Sequence, residues 1–389
     1  MTPILFFKAL FWVSLFMVFY AYLGYPLLLW MISRLKPDSD LTKNGGANCD
    51  SQKVSFLISA FNEEAVIEQK VVNSLSLDYP KDLLEIIVIS DGSTDRTREI
   101  VEQYADKGIV LSHYEGRIGK TECLNRTVPL AQGSILVFSD ANSHYDRRAI
   151  KELVKHFMVK KVGFVTGWTK YLSEEKSNSA DSLGIYARIE FWTKSLESMI
   201  DSCVGADGAI FAIRKELFKP LHPYDINDFV IPLQINRQGY KGLLEKNAFC
   251  LEKSAGGKGE FLRQVRITNR TIRAIFKNAG LLNPVKYGIF SLELFSHKIC
   301  RFLVPFFLIM FMIANVILLR NGTVYLIIFA LQVFFYLSGL LKNAGRNVKY
   351  LPGFLSLFNT FVLVNAAVFW GWVTYLQGKT FTTWAPTQR

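Results

Sequence analysis

Glycine-rich phosphate loops are missing from this chain. No G-x-G-x-x-G follows its first β-like run and no G-x-x-x-x-G-K-[ST] occurs, which argues against nicotinamide dehydrogenases and P-loop NTPases. The cysteines Cys49, Cys123, Cys203, Cys250 and Cys300 stand singly, without CxxC or Cys/His spacing, so they read as reduced thiols. His113, His144, His156, His222 and His297 show no metal-ligand spacing either. Acid is scarce: 33 Asp and Glu face 45 Lys and Arg, a net charge of +12. The surplus base forms no aromatic-interleaved stripe, which argues against nucleic acid as a partner. It fits a protein lying against anionic membrane lipids. Internal repeats and low-complexity tracts are also missing.

Half of the 389 residues are hydrophobic, and they are unevenly spread. Leu10 to Ile32 is nearly uncharged and long enough to span a bilayer. It has no small-residue cleavage site and is followed by Arg34 and Lys36, so it reads as a retained anchor. Phe302 to Leu319, Thr323 to Leu341 and Phe354 to Leu376 are three further runs of this kind. Residues 36–286 are polar and hold most of the Lys and Arg. The positive-inside rule places them in the cytoplasm, together with the basic loop Lys342 to Lys349. Counting crossings then puts the tail outside, whereas its Lys379 and Arg389, with no acid, favour the inside. Asn359 and Asn365 leave open whether the last run spans. The expected division is an anchor at 1–35, a cytosolic domain at 36–286, an interfacial helix at 287–301, three membrane helices within 302–376 and a tail at 377–389. The expected location is the plasma (inner) membrane, as an integral protein.

Within the polar part, Asn44-Gly45-Gly46 reads as a linker. Val54 to Ser59, Leu84 to Ser90 and Ser134 to Ser139 are aliphatic without alternation, as in strands buried on both faces of a parallel sheet. Helical stretches separate them: Glu63 to Leu77 with Asn62 as N-cap, Asp95 to Asp106, Lys120 to Ala131 and Asp146 to Val159. A long helix is expected over Ala180 to Met199. The alternation predicts a doubly wound α/β domain. Each of those three strands ends in polar groups: Asn62-Glu63-Glu64, Asp91-Gly92-Ser93-Thr94-Asp95 and Asp140-Ala141-Asn142. Ligands of open α/β sheets bind beyond such strand ends. Carboxylates replace the missing glycine loop, and carboxylates repel phosphates. A divalent cation of the Mg²⁺ or Mn²⁺ type is therefore expected between them and a nucleoside diphosphate.

The same residues resemble a family. Val54 to Ala60 with Asn62-Glu63-Glu64, then IIVISDGSTDRT, Gly119-Lys120 with Asn125, VFSDAN, Gly205-Ala206-Asp207-Gly208-Ala209 and Asn227-Asp228-Phe229 with Arg237-Gln238-Gly239-Tyr240 are similar to inverting family 2 glycosyltransferases of GT-A fold. The flanking apolar runs resemble those of the cellulose, poly-N-acetylglucosamine and hyaluronan synthases. The resemblance implies a nucleotide sugar, of UDP type, as donor and a lipid-linked or polysaccharide acceptor. It implies that Phe61, Asn62 and Glu63 line the nucleoside pocket, that Asp91 bonds the base, and that Lys120 lies near base or phosphates. It implies that Asp140 contacts ribose and metal, with Asn142 standing where a second Asp is usual. Asp228 falls at the general base, with Asp225 its rival in the same loop, and Asp207 and Arg266 fall on the acceptor side. A carboxylate at a helix N-terminus is favoured in its charged form, which suits a base.

Glu260 to Arg270 departs from the pattern. Processive synthases carry QxxRW there, whereas this chain has Arg263-Gln264-Val265-Arg266-Ile267, without the stacking Trp. The segment also reads as a basic amphipathic helix on the membrane surface. The leading expectation is a sugar transferase acting in cell-surface polysaccharide or glycoconjugate synthesis. Processive synthesis with export, and a non-catalytic subunit of a synthase complex, are the alternatives.

Overall fold

The structure is a computed structural model and describes residues 3–35, 52–172, 178–253, 258–344 and 353–382. The linker at 44–46, Cys49, most of the loop 342–349 and residues 383–389 lie outside the described residues.

A mixed sheet of eight strands forms the centre, in the order β3-β2-β1-β4-β7-β6-β8-β5. The strands are β1 (Val54–Ala60), β2 (Leu84–Asp91), β3 (Ile109–Tyr114), β4 (Ile135–Asp140), β5 (His144–Tyr145), β6 (Val162–Leu172), β7 (Phe211–Arg214) and β8 (Lys241–Lys253). The first four are parallel, as the unalternating apolar runs require. Period two persists inside those runs. Phe56, Ile58 and Val88 enter one core with α2 (Ile67–Leu75) and α5 (Ala149–Val154), while Leu57, Ile87 and Ile89 enter another with α4 (Lys120–Thr127) and α7 (Asn227–Arg237). Each such side chain contributes about 1.5–3 kcal/mol of burial.

The sheet departs from a purely parallel one at β7, which is antiparallel to both β4 and β6. Because Phe138 pairs with Phe211, the residues entering β7 lie at the carboxyl end of β4. β8 was not expected. Its charged residues hide it from an apolar scan, yet it pairs with β6 over most of its length. Asn62 does not cap a helix. It adopts a left-handed φ of 52°, and the helix begins at Ile67. The helix expected from Asp95 begins at Thr97, where Asp95 Oδ1 accepts from the Thr97 amide at 3.0 Å.

Among the described residues, three helices are long and apolar enough to cross a membrane: α1 (Pro3–Leu35), α9 (Ile289–Leu318) and the segment Leu357–Leu376 of α11 (Gly353–Leu376). Between α9 and α11, α10 (Thr323–Ala344) carries a shorter apolar stretch, Thr323–Gly339. The segment expected as a separate interfacial helix at 287–301 is instead mostly the first turns of α9, with Ser291, Glu293, Ser296 and His297 buried.

These turns pack on α6 (Asn178–Ile200) through charge. His297 Nδ1 lies 2.6 Å from Glu197 Oε1, and Arg301 Nη1 donates to Glu190 Oε2 at 2.5 Å. Tyr25 of α1 donates to Glu197 at 2.8 Å. α8 (Lys258–Lys277) packs along α11, where Gly371 leaves room for Thr268. Beyond α11 the chain returns to the sheet domain: Lys379 O accepts from Arg273 and Asn269, and Thr382 O lies against Gly119.

Candidate active site

The carboxyl ends of β1, β2 and β4 lie side by side, with Ser59 opposite Asp140 and Ala60 opposite Ser90. Residues 62–64 are fastened to the loop after β2. Asn62 Oδ1 accepts from the Thr94 amide at 2.8 Å, the Glu63 amide donates to Thr97 Oγ1 at 2.8 Å, and the Glu64 amide donates to Asp95 Oδ2 at 3.0 Å. Phe61 is buried with the Arg117 guanidinium 3.8 Å above its ring. These contacts rigidify the chain that leaves β1 and β2.

Asp91 ends β2 and is buried. Its Oδ1 accepts from the Gly119 amide at 2.9 Å, while its buried Oδ2 has no partner among the described residues. Gly119 takes a φ of +93°, a conformation open to glycine, and starts α4. That start aims Lys120 at Asp140, with Nζ 2.5 Å from Oδ1.

Asp228, in the first turn of α7, is half-buried, and its Oδ1 has no partner among the described residues. Burial raises its carboxyl above the usual range. Lys120 and Lys194 oppose that shift, and Asp140 and Asp207 add to it. The helix-dipole expectation of an easily charged carboxylate is therefore corrected, because desolvation outweighs the helix end. Asp225 is spent differently. It is buried, with Oδ2 accepting from the His222 amide at 2.9 Å and facing Lys277 at 3.8 Å.

Asp207 is largely occupied by the fold. Its Oδ2 accepts from the Thr169 amide at 2.9 Å, and its Oδ1 from Thr169 Oγ1 at 3.0 Å and the Ala209 amide at 3.1 Å. It shapes the loop that faces Asp228 through Gly208. Arg266 is half-buried, and desolvation together with Arg270, Arg263 and Arg117 pulls its guanidinium down to about 10. Among the described residues the charged groups acting on it are thus other arginines, and one of them, Arg117, lies over the Phe61 ring.

Lys194 was not anticipated from sequence. Mid-helix in α6, it donates to Ala206 O at 3.1 Å, and Glu197 of the same helix accepts from the Val204 amide at 3.2 Å. Nothing in its local sequence marks it, because its partner loop is brought by the fold.

Among the described residues no three His, Cys, Asp or Glu side chains gather as a metal cage. The Asp140 carboxylate and the Asn142 amide, separated by one residue at the end of β4, offer hard oxygen donors that suit Mg²⁺ or Mn²⁺. Lys120 Nζ already sits on Asp140 Oδ1, so a cation at these donors would share the carboxylate with Lys120.

Comparison with known proteins agrees with this geometry. Residues 55–221 match the family described as Glycosyl transferase family 2. A "Probable glycosyltransferase" of Bacillus subtilis is 29% identical over 199 residues, covering 48% of this chain and 47% of that protein. A "Poly-beta-1,6-N-acetyl-D-glucosamine synthase" of Staphylococcus aureus is 28% identical over 225 residues, covering 54% and 52%. A "Beta-monoglucosyldiacylglycerol synthase" of Nostoc is 32% identical over 145 residues, covering 36% and 28%. The chain thus spans about half or less of the length of these relatives. The solved structure of a mannosyltransferase from Pyrobaculum calidifontis, in complex with GDP-Man and Mn²⁺, superposes with a TM-score of 0.70 at 20% identity, over 95% of this chain and 99% of that one. The strand ends, the carboxylates they carry and the shared architecture lead to one conclusion: residues 55–221 match a glycosyl transferase family 2 domain, and the chain has the GT-A fold.

Proposed function

We propose that this protein transfers a sugar from a nucleoside diphosphate to a membrane-held acceptor, with inversion at the anomeric carbon. One observation carries the reading: among the described residues, Asp228 has a buried carboxylate oxygen without a hydrogen-bond partner, within electrostatic reach of the Lys120–Asp140 pair. Phe61, Asn62, Glu63 and Asp91 hold the nucleoside, and Lys120 and Asp140 face the ribose and diphosphate. Asp140 and Asn142 would hold a divalent cation, which when bound would supply positive charge to offset that developing on the departing diphosphate. Asp228 accepts the proton of the attacking hydroxyl, which is too weakly acidic to leave unaided. Attack opposite the leaving group converts an α-linked donor into a β-linked product. The arginine cluster around Arg266, with Asp207, borders the acceptor side.

Ile267 at the position of the stacking Trp favours single addition over processive synthesis. The helices α1, α9 and α11 favour an acceptor held in the membrane, with the sheet domain on the cytoplasmic face. The relatives' names divide between a glycolipid and a polymer product, so the acceptor is read by experiment. Membranes containing the protein are incubated with labelled UDP- and GDP-sugars, and label is followed into solvent-extractable lipid and into insoluble polymer. Label in the lipid fraction supports the reading. Label only in long polymer overturns single addition, and no transfer from any donor overturns the activity.

A further inference from the structure

Beneath the Asp140–Asn142 turn lies a charged group that the mechanism does not use. Lys70 of α2 is 0% exposed. Its Nζ donates to Ser139 Oγ at 2.8 Å and to Ser143 O at 2.5 Å, the residues immediately before Asp140 and after Asn142. The same ammonium lies 4.3 Å from the Tyr145 ring centroid and 4.9 Å from that of Phe56. Ser143 Oγ in turn donates to Glu252 Oε1 on β8. Tyr145 extends the group sideways, its hydroxyl donating to Phe138 O at 2.9 Å and Ala209 O at 3.0 Å. No carboxylate makes a direct contact with Lys70 among the described residues, although Asp140 and Glu252 act on it electrostatically.

Burying a cation without a partner carboxylate is unfavourable, and an apolar residue of the same length would fill the site without that cost. A charge in such a place holds something that an apolar side chain cannot. What Lys70 holds is both ends of a turn. Its ammonium spans Ser139 and Ser143, so Asp140 and Asn142 are fixed between two tethered points. Glu252, on β8, fixes the second point through the Ser143 hydroxyl. The need is greater here than with two carboxylates, because an amide oxygen at position 142 is a weaker ligand and tolerates less misplacement.

We infer that Lys70 and Glu252, joined through Ser143, are positioning residues that set the Asp140–Asn142 turn for binding a divalent cation together with a nucleoside diphosphate. The inference rests on the proposed donor-side role of Asp140. Lys70 touches neither ligand; it acts through the backbone and hydroxyls of its neighbours.

The test is calorimetry on the full-length protein in detergent, titrating UDP or GDP with Mn²⁺ present, alongside steady-state transfer. Lys70→Met should weaken binding of the nucleotide–Mn²⁺ pair about tenfold or more, raise donor KM in step, and leave kcat within about threefold. Glu252→Gln keeps an acceptor for Ser143 and should stay within about threefold of wild type, whereas Glu252→Leu should match Lys70→Met. Ser143→Ala removes only one hydroxyl and gives a reading if Lys70→Met does not fold; it should weaken binding severalfold. Wild-type affinity in Lys70→Met, or in both Ser143→Ala and Glu252→Leu, overturns the inference and leaves the role of Asp140 standing. Equal loss in Glu252→Gln and Glu252→Leu overturns the positioning role in favour of a direct charge. Unchanged binding in Asp140→Ala overturns both readings at once.

Discussion

Gly208 faces the Asp228 carboxylate so closely that a methyl group on it would stand 3.0 Å from Oδ2. The loop from Cys203 to Gly208 and the first turn of α7 are further tied by the Ala206 amide donating to Asp228 O at 2.8 Å. The candidate base is therefore held by backbone on one side, while its buried Oδ1 has no hydrogen-bond partner among the described residues.

Catalysis and donor binding should separate at this contact. Asp228→Asn keeps size and polarity but cannot take a proton, so transfer should fall by about 10² to 10⁴ with nucleotide affinity within a few-fold. Gly208→Ala should also lower kcat, since its methyl pushes the carboxylate aside, again without changing nucleotide affinity. Asp225→Asn should act on stability and leave kcat near wild type. Normal turnover in Asp228→Asn, with an inactive Asp225→Asn, would move the base to Asp225.

The raised Asp228 carboxyl fixes the sign of two pH effects. As a base it must be unprotonated, so transfer should fall as pH drops through a value above the ordinary carboxylate pKa of about 3.9. Its folded pKa exceeds its unfolded one. The penalty is therefore present at neutral pH and is relieved as pH falls through the folded value. Asp228→Asn should accordingly raise the melting temperature at pH 7 and narrow the gain at pH 4. An acid limb that persists in the residual activity of Asp228→Asn assigns the limb to another group.

Removing the cation should remove the nucleotide. UDP or GDP binding, measured by calorimetry, should require Mn²⁺ or Mg²⁺ and disappear in chelator, and Asp140→Ala should abolish it in either metal. Binding of equal strength in chelator would take the metal out of the mechanism.

The ion pairs between α6 and α9 should dominate the stability of the membrane–domain junction. Glu190 faces Arg301, His297 and Lys298. Glu190→Ala strips a carboxylate from the buried Arg301 guanidinium and should cost about 3–5 kcal/mol, read as a lower melting temperature in detergent. A change below about 1 kcal/mol would mean that solvent already screens the cluster.

Residues 377–382 should lie on the same side of the membrane as the sheet domain, because Lys379 O is bonded by Arg273 and Asn269. With native cysteines replaced, a cysteine at 107 or 380 should escape an impermeant reagent in intact cells, and one at 321 should react. Labelling at 380 alone would restore the arrangement obtained by counting crossings.

The sequence by itself determined the parallel half of the sheet, since unalternating apolar strands at β1, β2 and β4 can be buried only between two helical layers. It also placed Asp91, Asp140 and their polar neighbours at strand ends, because side-chain chemistry changes abruptly where each apolar run stops. The tertiary structure decided what the remaining residues do. Asp228 reads locally as a helix-capping acid, and only its burial beside Asp140 and Asp207 reverses the direction in which its proton affinity moves. Lys70 and Glu252 look like surface charges on an amphipathic helix and a polar strand. Their roles arise from pairings across 69 to 109 positions of sequence, between Lys70 and Ser139 and between Ser143 and Glu252. The contacts of Lys379 with α8 likewise could not be read from sequence, because hydrophobic length counts possible crossings whereas packing decides where each helix ends.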